Sequence, residues 1–267
     1  MSRFEPCRNR PPIQQSPEMN MAHALIRVLL LTWMVASNAA EVSVAVASNF
    51  IAPMQRIAQS FEQDTGHKAV LALGSTGSLY AQIRHGAPYH VLLAADADTP
   101  ARLEKEGLGV AGSRFTYALG QLVLWSKRPG FVDDKGDVLR AGTFQRLAVA
   151  NPKLAPYGAA ALQVLNQLKL LPSVSSKLVQ GDNIAQTYQY VSTDNAQLGF
   201  VSLSQVWVDG RISQGSAWIV PQHLYSPLQQ DAVLLSKGQH HPAAQALLMY
   251  LRSDKAISLI RAYGYAL

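Results

Sequence analysis

The sequence predicts an α/β fold in which mixed, mainly parallel sheets are flanked by helices. From Glu41 onward, short runs rich in β-branched residues alternate with segments whose apolar residues recur at helical spacing, a pattern typical of parallel strands joined by helices. Two long extended stretches, 115–126 and 224–235, each have a glycine or polar interruption midway. Strands that leave one lobe and enter another would have this form. Two ordinary long strands would have it too, so both arrangements stay open.

The first third of the predicted fold contains three strands, each followed by a helix. Apolar residues recur at helical spacing over 51–61, and Gly66 is a typical helix stop. Pro100 fits the first turn of a helix capped by Asp98 or Thr99. In chain order, the predicted elements are strand 42–47, a helix from 51 to the stop at 66, strand 68–73, helix 79–85, strand 90–96 and a helix from 98 or 99 to a stop at 107.

The rest of the chain continues the alternation, without a tandem repeat or a low-complexity segment. Alternating strands and helices over this length predict helices on both faces of a sheet. The predicted elements are strand 116–126, strand 147–150, helix 158–168, strand 178–180, helix 184–191 and strand 198–202.

The first forty residues predict a leader that is not part of the fold. Arg27 precedes an apolar run, 28–35, and small residues follow it up to Glu41, which is the layout of a secretory signal peptide. The apolar run is too short to span a membrane. We therefore expect residues 1–40 to be removed by cleavage near Ala39 and Ala40, and the remainder to be periplasmic. An uncleaved anchor or a buried helix is the alternative.

The composition excludes several classes of function. The chain has 23 Lys and Arg against 17 Asp and Glu, a formal net charge of +6, and its basic residues form no cluster. A nucleic-acid partner is therefore not expected. The single cysteine, Cys7, lies in the leader. The exported chain is thus expected to have no disulfide, no thiol nucleophile and no cysteine-based metal site.

Small polar residues directly follow several of the predicted strands. In an open α/β sheet, ligands bind beyond the carboxyl ends of the strands, where helix N-termini present free N–H groups to an anion. Each such position taken singly is more often a helix cap than a binding site. Their repetition in both halves of the chain favours a shared anion site. The positions are Ser48 and Asn49, residues 75–78, Tyr157 with Gly158, and Asn183.

The chemistry of these turns favours a fully ionised oxyanion. The turns at Ser48 and at 75–78 have no acidic and no basic side chain. A tetrahedral dianion without a proton needs only donors, whereas a phosphate that keeps a proton needs a nearby acceptor, typically a carboxylate. Asp182, beside Asn183, could be such an acceptor. Phosphate therefore stays open on the residues alone.

Four segments of the sequence are distinctive when taken together. They are VSVAVASNFIAPMQRIAQSFEQDTG (42–66), GSTGSLYAQIRHGAPYHVLLAAD (74–96), LAVANPKLAPYGAAALQVL (147–165) and YLRSDKAISLIRAYGY (250–265). With them, nearly all of 42–265 resembles the periplasmic molybdate-binding proteins of ABC importers. The resemblance implies a two-lobed type II periplasmic binding protein fold that closes on one oxyanion. One lobe would consist of 41–119 and 227–267, and the other of 120–226.

The same resemblance implies the function and the ligand set. It implies a monomeric binding protein, without catalysis, cofactor or metal-cation site, that captures molybdate and tungstate and delivers them to a membrane permease. The implied ligands are Ser48, Asn49, the hydroxyl and backbone of Ser75 or Thr76, and the backbone of Ala95 in the first lobe, with Tyr157 and the backbone N–H of Ile184 in the second.

Two positions depart from the family pattern. His90 stands where the family often has Asp. Ser202 stands where some members place a ligand tyrosine, and Tyr157 is expected to take that part here, as in members with a PYG turn.

Two other functions fit part of the pattern. A receptor for sulfate or another tetrahedral oxyanion would use the same kind of donors. A periplasmic hydrolase that uses Asp96 or a histidine is the competitor from a different class, although the sequence has no G-x-S-x-G, H-E-x-x-H or C-x-x-C motif. The adjacent His240 and His241 cannot share one helical face as a metal pair would, and we expect them in a solvated loop.

Overall fold

The structure is a computed structural model that describes Met1 and residues 39–267. The predicted signal peptide lies almost entirely outside the described residues. Within residues 39–267 the chain forms twelve strands and nine α-helices. Of the helices in this described part, none is both long and apolar enough to cross a bilayer.

The elements follow the predicted alternation. The strands are β1 (Glu41–Ala47), β2 (Lys68–Gly74), β3 (Val91–Leu93), β4 (Phe115–Gly120), β5 (Leu122–Ser126), β6 (Leu147–Ala150), β7 (Leu178–Gly181), β8 (Leu198–Ser202), β9 (Trp207–Val208), β10 (Arg211–Ile212), β11 (Ser216–Ile219) and β12 (Leu228–Leu234). The helices are α1 (Ile51–Thr65), α2 (Thr76–Arg84), α3 (Asp98–Lys105), α4 (Val138–Ala141), α5 (Pro156–Gln167), α6 (Leu171–Val174), α7 (Ile184–Ser192), α8 (Pro242–Tyr250) and α9 (Asp254–Ala262). Short 3-10 turns, such as Ser48–Phe50 and Leu203–Gln205, join several of them.

The main strands form two mixed sheets of five strands each. The first has the order β2-β1-β3-β12-β4, and the second has the order β11-β5-β8-β6-β7. In the first sheet β1 pairs in parallel with β2 and β3, while β12 is antiparallel to β3 and β4. In the second, β6 is parallel to β7 and β8, while β5 is antiparallel to β8 and β11. The predicted mixed sheets are therefore present, with parallel and antiparallel pairings equal in number.

The antiparallel pairings arise where the chain passes between the sheets. β4 ends at Gly120 in the first sheet and β5 begins at Leu122 in the second, so the stretch 115–126 changes sheet at its glycine. The stretch 224–235 behaves differently. Its strand, β12, lies wholly in the first sheet, and the residues before it form a 3-10 turn and a loop.

Helices cover both faces of each sheet. On one face of the first sheet, α1 packs Met54 and Phe61 into a core that includes Ile260 of α9. On the other face, Leu79 of α2 and Leu103 of α3 form a second core. This arrangement explains the helical spacing of apolar residues in α1, whose Gly66 ends the helix with a φ of 75°.

The second sheet is covered in the same way. Val164 of α5 lies in the core on one face, and Val191 of α7 packs with Trp125 of β5 on the other. Both sheets are thus enclosed between helices, and the turns from strand to helix gather at the carboxyl ends of the parallel strands.

Two helices begin earlier than the sequence predicts. α2 starts at Thr76 rather than Leu79, because Ser75 has an extended backbone and its carbonyl accepts from the N–H of Leu79 at 3.0 Å. α5 starts at Pro156, which is typical of a first helical position. As a result, Thr76 and Tyr157 lie inside the first turns of these helices and not in the loops before them.

Candidate functional site

The strand-to-helix turns of both sheets meet at one small cavity. Its volume is about 10 Å³, close to what one water molecule occupies. All seven residues implied by the sequence line it, so the structure brings the whole predicted set together. The lining residues are Ala47, Ser48, Asn49, Gly74, Ser75, Thr76, Ala95, Ala155, Pro156, Tyr157 and Ile184.

Two serine hydroxyls at the cavity have no protein partner. Ser48 is 3% exposed and Ser75 is 5% exposed, yet neither hydroxyl forms a hydrogen bond within the described residues, and neither caps the helix it precedes. Helix capping therefore does not account for these two residues, and both donors are available to a ligand.

Capping does account for Asn183. Its Oδ1 accepts from the backbone N–H groups of Ala185 at 3.0 Å and Gln186 at 3.1 Å. Ile184, the first residue of α7, keeps an N–H group without an intrahelical partner, as helix geometry requires. On the other side of this residue, the Ile184 carbonyl accepts from Nε2 of Gln205 at 3.1 Å. The cap thus leaves Ile184 N–H as the donor that α7 presents at the cavity.

The side chains of Asn49 and Tyr157 are committed to partners other than a ligand. Asn49 Nδ2 donates to Gln230 Oε1 at 2.8 Å and to the hydroxyl of Tyr265 at 3.0 Å. The Tyr157 hydroxyl accepts from Gln230 Nε2 at 3.1 Å and from Ser202 Oγ at 3.0 Å. The expectation that the Tyr157 side chain replaces a ligand tyrosine is therefore at odds with this geometry. What both residues can present to the cavity is backbone N–H at the start of a helix.

Thr76 and Ala95 bond to each other. Thr76 Oγ1 accepts from the backbone N–H of Ala95 at 3.0 Å, so the expected backbone donor of Ala95 is already engaged. Of the two candidates Ser75 and Thr76, only Ser75 has a hydroxyl without a protein partner among the described residues. The Thr76 hydroxyl thus holds the backbone that follows β3 in the cavity wall. Ser75 lines the cavity with its hydroxyl unbonded.

Of the described residues that line the cavity, none has a charged side chain. Burial raises the pKa of the Tyr157 hydroxyl well above its usual value, so that group stays neutral. Asp182 is the residue that, on the sequence alone, could accept the proton of a phosphate ligand. It is exposed and does not line the cavity. The cavity therefore offers an anion hydrogen-bond donors and helix dipoles, with neither a formal cation nor a carboxylate acceptor in its wall.

A larger groove adjoins the cavity. Its volume is about 410 Å³, and it shares Ala95, Ala155 and Pro156 with the cavity wall. Asp96 lines this groove and accepts from the N–H of Thr99 at 2.8 Å. Burial raises the pKa of the Asp96 carboxyl. Its observed contacts are those of a turn that begins α3, as expected for a structural aspartate.

The histidines and carboxylates do not assemble a metal site in the described part of the chain, where no group of three His, Cys, Asp or Glu residues is placed to hold a cation. His240 is exposed, as expected. His241 is not in a solvated loop, because its ring stacks on that of His90 with 4.2 Å between centroids. Burial lowers the pKa of His90. Neither histidine lines the cavity.

Comparison with known proteins agrees with this arrangement. The sequence profile of the family described as bacterial extracellular solute-binding protein matches residues 42–266. The chain belongs to this family. Its members bind solutes and are not enzymes, so this solute-binding protein is not a hydrolase. Family membership is also consistent with location outside the cytoplasm.

Individual relatives of this solute-binding protein confirm the resemblance stated from its motifs. The molybdate-binding protein ModA of Azotobacter vinelandii is 60% identical over 232 residues, which cover 87% of this chain and 92% of the relative. ModA of Rhodobacter capsulatus is 45% identical over 251 residues, covering 94% and 98%. A solved structure of the Azotobacter vinelandii periplasmic molybdate-binding protein matches with a TM-score of 0.82 at 38% identity, covering 85% of this chain and 99% of that one. The predicted fold class is thereby confirmed.

Proposed function

We propose that this protein is the periplasmic receptor of an ABC importer, and that it captures molybdate and tungstate. The observation that carries the proposal is the pair of largely buried serines, Ser48 and Ser75, which line one uncharged cavity and whose hydroxyls have no partner among the described residues. The names of the relatives at 60% and 45% identity support the choice of molybdate.

Neutral donors from both sheets would hold the ion. The hydroxyls of Ser48 and Ser75 donate directly, and the backbone N–H groups of Asn49, Tyr157 and Ile184 donate from the starts of helices. With the remaining N–H groups of these turns, about five to seven donors would surround the ion, in line with anion sites at helix N-termini. A dianion without a proton is satisfied by donors alone. Protonated phosphate would lack a carboxylate acceptor among the described residues of this wall.

Binding would couple to closure of two lobes. We propose lobes of 41–119 with 227–267 and of 120–226, a division within two residues of Gln121, where the chain passes from β4 of the first sheet to β5 of the second. The donors come from both lobes, so hinge closure would complete the site around the ion. The cavity of about 10 Å³ is about one water in size, and an ion with four oxygens requires its walls to lie slightly further apart.

The route of the protein follows from the leader. Residues 1–40 would direct export and be cleaved near Ala39 and Ala40, leaving a periplasmic monomer. The closed form would then present both lobes to a membrane permease, which is the expected partner. No nucleic acid takes part.

Calorimetry with four oxyanions tests the choice of ligand. At one ionic strength, molybdate and tungstate are expected to bind tightly, and sulfate and phosphate at least about tenfold more weakly, a difference of about 1.4 kcal/mol. Phosphate should bind weakly because the described wall has no carboxylate to accept its proton, and sulfate because it is the smaller ion. Equal affinity for sulfate would make this a general receptor for tetrahedral oxyanions.

The affinity for molybdate is expected to stay constant between about pH 6 and about pH 9, because no group at the cavity has its usual pKa in that range. The Tyr157 pKa is raised by burial, so its hydroxyl keeps its proton up to and beyond the pKa of a tyrosine in water. Any stabilisation from this hydroxyl is therefore present at low pH and is lost only as the pH rises through the raised pKa. Titration calorimetry across this range checks the prediction. A step near the usual pKa of histidine would contradict it.

A further inference from the structure

Six buried side chains form a closed ring of hydrogen bonds beside the cavity. Around the ring, Asn49 Nδ2 donates to Gln230 Oε1 at 2.8 Å, and Gln230 Nε2 donates to the Tyr157 hydroxyl at 3.1 Å. Ser202 Oγ donates to the same hydroxyl at 3.0 Å and lies 2.9 Å from Ser204 Oγ. The Tyr265 hydroxyl donates to Ser204 Oγ at 3.0 Å and accepts from Asn49 Nδ2 at 3.0 Å, which closes the ring. All six residues are at most 6% exposed.

The ring joins the two sheets. Gln230 lies on β12 of the first sheet, and Asn49 follows β1 of that sheet. Tyr157 lies in the first turn of α5, Ser202 ends β8 of the second sheet, and Ser204 lies in the 3-10 turn that follows β8. The bonds Gln230–Tyr157 and Ser204–Tyr265 cross from one part to the other, since Ala266, next to Tyr265, pairs with Leu119 of β4. The Asn49 carbonyl lies 2.8 Å from Ser204 Oγ and 2.9 Å from the Tyr265 hydroxyl, as an alternative acceptor for their protons. The crossing bonds therefore require the two parts to lie close together.

Gly120 leaves the space that one crossing bond needs. It is the last residue of β4, where the chain leaves the first sheet. A Cβ atom at this position would collide with the Tyr157 hydroxyl and would lie 2.5 Å from Gln230 Nε2. Any side chain at Gly120 must therefore push apart the two groups whose hydrogen bond connects β12 to α5.

Two members of the ring are also members of the site. Asn49 and Tyr157 line the cavity. Gln230 bonds to both of their side chains, and Ser204 contacts the Asn49 backbone carbonyl and reaches the Tyr157 hydroxyl through Ser202. Gln230 and Ser204 do not line the cavity. Their hydrogen bonds are placed to hold the helix starts that carry the N–H groups of Asn49 and Tyr157. These two N–H groups lie on opposite sides of the site.

We infer that Gln230 and Ser204 are positioning residues that latch the two halves of the oxyanion site together and so set how long the ion is retained. The inference rests on the proposed function. An ion would enter while the ring is open, and closing the ring would bring the N–H groups of both parts onto it. Loss of a crossing bond should therefore speed release and leave capture almost unchanged, as is common for changes that act after the encounter.

The test is stopped-flow fluorescence with molybdate as the probe, using the full exported chain. Ser204→Ala is expected to raise the dissociation rate constant about tenfold, the effect of roughly one hydrogen bond, with the association rate constant unchanged within about twofold. Gly120→Ala is expected to act in the same direction without removing any donor. It also guards against a folding effect peculiar to position 204.

Ser126→Ala is the matched control. Ser126 is 0% exposed on β5 and donates to the Gln197 carbonyl, so its loss removes a buried hydroxyl of the same sheet away from the ring. It should lower the unfolding temperature of the unliganded protein as Ser204→Ala does, but leave release unchanged. If the unmodified protein binds molybdate tightly but release is unchanged in both Ser204→Ala and Gly120→Ala, the inference is wrong and the proposed function is unaffected. No binding of molybdate by the unmodified protein would overturn the proposed function, and the inference with it.

Discussion

Replacing Ser48 and Ser75 together by alanine is expected to weaken molybdate binding by on the order of 10²- to 10⁴-fold, because hydrogen bonds to a charged group contribute about 1.5–3 kcal/mol each. Ser48→Ala alone should cost about 1 to 3 kcal/mol of binding free energy. Both residues are largely buried and line the cavity, and their hydroxyls have no partner among the described residues. Their removal breaks no internal bond, so the stability of the unliganded protein should be nearly unchanged.

Calorimetry of the double variant beside Ser78→Ala makes this measurement specific. Ser78 lies in the first turn of α2, close to Ser75, and is half-buried. It does not line the cavity. Its variant controls for the loss of one hydroxyl from the same helix and should bind molybdate like the parent. A dissociation constant that is the same in the double variant as in the parent would remove both serines from the site.

Gly158→Ala is expected to destabilise the fold by about 3 kcal/mol, at the upper end for overpacking, and to weaken oxyanion binding as well. A Cβ atom at Gly158 would collide with the Ala150 carbonyl oxygen at the end of β6 and would lie 3.0 Å from the Asn151 carbonyl carbon. These are backbone atoms of a strand end, which cannot rotate away as a flexible side chain could. The start of α5 must move instead, and with it the N–H of Tyr157.

Denaturant unfolding and calorimetry on the same samples separate the two effects of Gly158→Ala. Ala159→Gly is the control, since it exchanges the same two residue types at the next position without a collision. It should lose about 1 kcal/mol from helix propensity and keep its affinity for molybdate. If Gly158→Ala were as stable as the parent, the close approach of α5 to β6 would not constrain the site.

Local patterns determined the elements well because the forces that form them act over a few residues. Apolar spacing and a terminal glycine placed α1 and its end at Gly66, and β6 and β8 have the predicted bounds. The start of α2 was wrong by three residues. Its first turn is Thr76, Gly77 and Ser78, small residues with no apolar periodicity to reveal a helix.

The sequence also predicted which positions meet at the site, but not which atoms face it. The rule that ligands bind beyond strand ends applies to backbone positions, so Ser48, Ser75, Tyr157 and Asn183 could be predicted to meet, and the family resemblance added Ile184. The direction of a buried polar side chain depends instead on its available partners. For Tyr157 these are Gln230 and Ser202, and they turn its hydroxyl into the ring.

By itself the sequence determined the alternation of strands and helices, the uncharged donors at their junctions and the family to which the chain belongs. Only the tertiary structure decided the equal share of antiparallel pairings and the ring that joins the two sheets. The one sequence signal of the ring was the polar interruption at Gln229 and Gln230 in an apolar strand. Asn49 and Gln230 are 181 residues apart in the chain. A hydrogen bond between them exists only after both sheets have formed and packed, so no local pattern encodes it.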